Sequence, residues 1–131
     1  MESYMARIEP TTIENAPEST KGTLEGIKAQ LGKVPNLLGT LGKSPAALNS
    51  YVNQKEALST GVLGDQVGES LALAIANFSQ CGYCVSAHNV IGKMVGLSEE
   101  ERELNRNGQS NDPKTQAAID FARAVVGGRG F

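Results

Sequence analysis

The sequence predicts an all-α fold, a helical bundle, on three observations. Glycine and proline punctuate the chain into segments that each carry helical apolar spacing. Aromatic residues make up only 5% of the chain and Trp is absent. The core must therefore be built from Ala, Leu, Val and Ile, which suit closely packed helices. The one segment that alternates like a strand, Leu71, Leu73 and Ile75, has alanine between, a poor strand former, and no second candidate strand to pair with.

The elements follow in order. A first helix is expected over 17–31, with Thr23, Leu24, Ile27 and Leu31 near the i, i+4, i+7 positions and Gly32 closing it. Pro35 opens a short helical piece over 36–41, closed by Gly42. Ser44 before Pro45 reads as a cap and a first-turn proline, starting a helix through Ala46, Leu48 and Tyr51 to about Ser59, broken by Gly61 and Gly64. Asp65 is the expected cap of the next helix, over 66–79, which is apolar on nearly every side and so predicted to be buried and central. A turn around 80–82 leads to a helix over 83–95, stopped by Gly96. Ser98 with Glu101 forms a capping box for a short polar helix ending near Asn107 and Gly108. Asp112-Pro113 starts the last helix, with Ala117, Ala118, Phe121, Ala122 and Val125 expected on one apolar face. That face has nothing after it to cover it, which predicts either a partner chain, hence a homo-oligomer, or a C-terminus shorter than that of relatives.

Composition narrows the function classes. A length of 131 residues favours a single domain over 1–131. With 12 basic and 14 acidic residues, net charge −2, the chain lacks the basic footprint of nucleic-acid or acidic-membrane binding. No apolar run approaches the roughly 20 residues that span a bilayer, and residues 1–10 carry no apolar signal segment, so a cytoplasmic location is expected. The chain has only two cysteines, Cys81 and Cys84. In a chain without an export signal such a pair points to redox or metal chemistry rather than to a structural staple.

The informative stretch is Cys81-Gly82-Tyr83-Cys84-Val85-Ser86-Ala87-His88. On a helix, Cys81, Cys84 and His88 project from one face. Cys81 sits at the helix start, where unpaired N–H groups favour a thiolate. His88, the single histidine of the chain, can accept a proton near neutral pH one turn after Cys84. A thiolate is the attacking species in thiol chemistry, and a second cysteine can trap its oxidised product as a disulfide. Two readings compete: buried cysteines acting as small hydrophobes, and a zinc site, for which two thiolates and one imidazole fall short of the usual four ligands.

Cys81-x-x-Cys84-x-x-x-His88, with Glu69 upstream at the start of an apolar helix, resembles the AhpD-like alkylhydroperoxidases of the carboxymuconolactone decarboxylase superfamily, and Lys33-Val34-Pro35-Asn36 resembles its peroxidase-related branch. The resemblance is strongest over 65–97. It implies reduction of hydroperoxides by a redox-active cysteine pair, no haem, metal or other cofactor, an external dithiol reductant, and a trimeric or hexameric helical assembly. Under it Cys84 attacks the peroxide, Cys81 resolves, His88 is the base and Glu69 the relay carboxylate. Residue chemistry alone leaves the cysteine roles open, because Cys84 has the imidazole and Cys81 the helix end. Family members carry a second His where this chain has Tyr83, a weak base at neutral pH and at most an auxiliary donor. Such a relay also requires a chain break near 80–82, since an unbroken helix would hold Glu69 about 18 Å from Cys81. The rivals are a decarboxylase-type lyase of the same superfamily, which needs no cysteine pair, and a non-catalytic helical oligomer whose cysteines are incidental or bind zinc.

Overall fold

The computed structural model describes residues 6–131 and, among them, seven helices and no strand. Residues 1–5, part of the opening stretch read as lacking a signal segment, lie outside the described residues. The all-α expectation holds. The helices are α1 (Glu18–Leu31), α2 (Asn36–Leu41), α3 (Pro45–Ser59), α4 (Gly64–Phe78), α5 (Gly82–Met94), α6 (Glu99–Arg106) and α7 (Pro113–Gly127). No helix among the described residues is long and apolar enough to cross a membrane. The chain divides into two compact units, one running to Leu58 and one from Ser59 to Phe131.

In the first unit, Ala16, Leu24, Leu38 and Leu48 form a buried cluster, flanked by Ile13, Ile27, Val34, Leu41 and Val52. The close approach of α1 to the end of α2 needs Gly42, where a Cβ would stand 3.1 Å from Leu24 Cδ1. Beside it the Thr20 hydroxyl donates to the Gly42 carbonyl at 2.9 Å, so a buried polar side chain is satisfied by the turn that it packs on. Gly32 at φ 78° closes α1 and the Ser44 hydroxyl accepts from Ala47 N–H, as the capping signals indicate.

In the second unit α4 is central and packs against α5, α6 and α7. Its buried positions are Glu69, Ser70, Leu73, Ala74 and Ala76. The expected Asp65 cap is a correction. The helix begins at Gly64, two residues earlier, Leu63 is the cap position without a side-chain hydrogen bond, and Asp65 lies in the first turn. Gly64 adopts φ 78°, a conformation open to glycine, and Asp65 still favours the helix by placing negative charge at its positive end.

The capping box at Ser98 is present, with Glu101 N–H donating to Ser98 Oγ and Ser98 N–H to Glu101 Oε2 at 2.8 Å. That second bond holds the Glu101 carboxyl below its ordinary value. Asp112 caps α7 by accepting from the Thr115 N–H and hydroxyl, and those bonds likewise lower its pKa. The apolar face expected on α7 is in large part uncovered, as the sequence indicates. Thr115 and Ile119 are the buried positions, whereas Ala117 and Val125 are exposed and Phe121 is 72% exposed. The α7 sequence is apolar on several sides, so spacing alone could not choose which one turns inward.

Helices α4 to α7 all end in the same hydrogen-bond pattern, in which the second residue past the cap donates to a carbonyl five back and the first to one three back. Gly96 (φ 96°) and Gly108 (φ 76°) supply the left-handed residue for α5 and α6; Gln80 (φ 55°) and Arg129 (φ 52°) supply it for α4 and α7. The motif at Gln80 turns the chain between the two helices that bear the candidate site.

Candidate functional site

The corner after α4 builds the site. Gln80 N–H donates to the Asn77 carbonyl and Cys81 N–H to the Ala76 carbonyl, both at 3.0 Å. With α4 closed this way, Cys81 is at once the residue that completes its end and the N-cap of α5. Its sulfur accepts the Cys84 N–H at 3.2 Å, the place that an oxygen takes in an ordinary N-cap. In the reduced form that N–H and the positive end of the helix would both favour a thiolate over a thiol at this sulfur.

Cys81 and Cys84 are joined by a disulfide, with Cα atoms 5.3 Å apart, and the described residues contain no free cysteine. Both cysteines are half-buried. Gly82 and Ser86, beside them on α5, are exposed, and so is Tyr83 at 48%. The sulfurs thus lie at the edge of the fold, not sealed in its core.

His88 stands one turn after Cys84, on the same helix. Its Nδ1 lies 2.7 Å from Glu69 Oε2 on α4, with side-chain exposures of 28% and 11% respectively. The break at Gln80 makes this contact, because it folds α5 back along α4. A carboxylate taken out of water is costly without a partner, and here the imidazole is that partner. An ionised carboxylate only accepts, so against it Nδ1 carries the hydrogen, and in the neutral ring Nε2 then keeps its lone pair. The pair therefore fixes the ring with one nitrogen available to receive a proton.

Four of the five residues singled out from the sequence fall into two pairs in space, and Tyr83 is in neither pair. Cys81 and Cys84 are bonded to each other; Glu69 and His88 are hydrogen-bonded to each other; α5 carries one member of the second pair a turn from the first. Tyr83 sits on α5 between the cysteines and is turned largely to solvent. Among the described residues, no group of three or more His, Cys, Asp and Glu side chains stands in an arrangement able to hold a metal ion. Sequence reasoning passed over the polar side chains of α6 that brace this corner, Arg102 and Asn105. Both are buried although α6 reads as a solvated helix.

No protein-family model matches the chain, and no curated protein matches it. A solved structure does. An uncharacterized peroxidase-related protein from Silicibacter sp. TM1040 superimposes with a TM-score of 0.80 and 18% sequence identity, over 100% of this chain and 73% of that one. At that identity the likeness shows a shared helical fold and no more.

Proposed function

We propose that this chain is a thiol-dependent peroxidase that reduces hydroperoxides through Cys84 and Cys81. The observation that carries the reading is a cysteine pair joined at a helix start, one turn from a histidine that a buried carboxylate orients. In the reduced protein His88 takes the Cys84 proton at Nε2, with Glu69 holding the ring. The Cys84 thiolate attacks one peroxide oxygen, the O–O bond breaks, and the departing alkoxide takes a proton to leave as an alcohol. Cys84 is then a sulfenic acid. Cys81 attacks its sulfur, a disulfide forms, and the hydroxyl leaves as water.

An external dithiol closes the cycle by two successive exchanges, and its own sulfurs end as a disulfide. Cys81 is the better leaving group of the pair, because the Cys84 N–H steadies the charge that develops on it. That division of labour gives each cysteine the position it needs: Cys84 the base, Cys81 the helix end. The fold shared with a peroxidase-related protein supports the same class of chemistry.

Stopped-flow mixing of reduced protein with an organic hydroperoxide tests it. The unaltered chain turns over when a dithiol is supplied. Cys84→Ser abolishes consumption, and Cys81→Ser consumes one equivalent and stalls as a trappable sulfenic acid. Undiminished turnover in both variants removes the proposal.

A further inference from the structure

Two buried polar side chains on α6 have no part in the chemistry above, yet each is bonded to the neighbour of a site residue. Asn105, fully enclosed, donates from Nδ2 to Ser70 Oγ at 2.7 Å, and Ser70 follows Glu69 in α4. Ser70 passes its own hydrogen to the Gln66 carbonyl at 2.9 Å. Arg102, one turn earlier on the same face of α6, donates from Nε to Asn89 Oδ1 at 3.1 Å, and Asn89 follows His88 in α5. Its Nη1 donates to the Leu97 carbonyl at 2.7 Å. The guanidinium reaches that place because α5 carries Gly92, where a Cβ would meet Arg102 Cδ at 3.3 Å.

We infer that Arg102 and Asn105 are positioning residues, a polar clamp on α6 that holds α4 and α5 at the spacing which keeps Glu69 against His88. The inference rests on the proposed function for its purpose and on geometry alone for its action. A 2.7 Å contact between side chains on two different helices survives only if the helices do not slide. Apolar packing by Ala and Leu is forgiving of small slides, whereas hydrogen bonds weaken steeply once length and angle are lost. The clamp places one such bond one residue beyond each member of the pair. Removing either half also leaves a buried donor or acceptor without a partner, so the helices gain a reason to shift.

The single histidine gives a direct readout, since ¹⁵N-labelled His yields one set of ring signals. In the full chain with its disulfide intact, at a pH where the ring is neutral, the unaltered protein shows the Nδ1–H tautomer. Asn105→Ala and Arg102→Met lose that predominance and give a tautomer mixture. Ser70→Ala and Asn89→Leu, which remove the acceptors and leave Asn105 and Arg102 in place, give the same loss if the first two variants do not fold. Ile119→Val loosens buried packing on α7, outside the clamp, and leaves the tautomer as it was. Folded clamp variants with an unchanged tautomer overturn the inference, as does an equal change in Ile119→Val. Because no peroxide enters the experiment, a protein without turnover whose tautomer still obeys the clamp contradicts the proposed function alone.

Discussion

The corner from α4 to α5 and the corner from α5 to α6 are built on one hydrogen-bond pattern and put to different ends. At the first, Cys81 N–H reaches the Ala76 carbonyl; at the second, Leu97 N–H reaches the Gly92 carbonyl at 2.9 Å. The left-handed residue is Gln80 in one and Gly96 in the other. The closing residue is a half-buried cysteine in one and a buried leucine in the other. At the second corner a separate residue, Ser98, then caps the next helix, whereas at the first Cys81 does both jobs. A common way of ending a helix thus carries a disulfide when the residue at the closing position is a cysteine and the next helix starts on it. The strained backbone lies at the cysteine corner, where Gln80 holds φ 55° without being glycine.

The comparison can be broken most severely at the structural corner. Leu97→Ala empties a buried position and should cost about 2–5 kcal/mol in chemical denaturation. A cost near zero would mean that the closing leucine does not anchor that corner. Exchanging the left-handed residues sharpens the contrast. Gly96→Gln must put a side chain at φ 96° with Gln66 Nε2 only 3.0 Å from the new Cβ. It should destabilise by about 1–3 kcal/mol. Gln80→Gly relieves left-handed strain but loosens the unfolded chain, so thermal melting should show a net change of about 1 kcal/mol or less. Equal and opposite effects would show that the two corners are interchangeable. Ser98→Ala removes one half of the capping box, with about 1 kcal/mol lost and early amide exchange at the start of α6.

The smallest effect is the one with pH. Glu101 and Asp112 are held below their ordinary values by cap hydrogen bonds, so their contribution to stability is whole above those values. It drains away as pH falls from about 4.5 through the lowered values. Melting temperature measured from pH 6 down to pH 3 should fall less in Glu101→Gln than in the unaltered chain, and only over that acid range. An equal fall in both would assign acid sensitivity elsewhere.

How much of this was written in the sequence depends on how local each feature is. The bounds of α2 and α3, the Ser98 box and the Asp112 cap come from residues next to each other, and they stand where the local signals put them. Which side of α7 turns inward is decided by α4, and no spacing rule on α7 alone distinguishes Ile119 from Phe121. The same holds for Arg102 and Asn105, polar residues on a polar helix, whose burial is set by the helices above them. At the site, spacing shows that Cys81 and Cys84 are near each other, and helix length shows that Glu69 needs a break near residue 80. A turn is expected there, but nothing marks Gln80 as its left-handed residue, because that position usually calls for glycine.

One measurement goes straight to the cysteine chemistry. The fully reduced chain is mixed with one equivalent of organic hydroperoxide, and remaining thiols and released alcohol are counted together. Two thiols should disappear per chain as one alcohol forms, with the Cys81–Cys84 bond recovered by mass spectrometry. Thiols that persist while the peroxide stays intact would contradict the account.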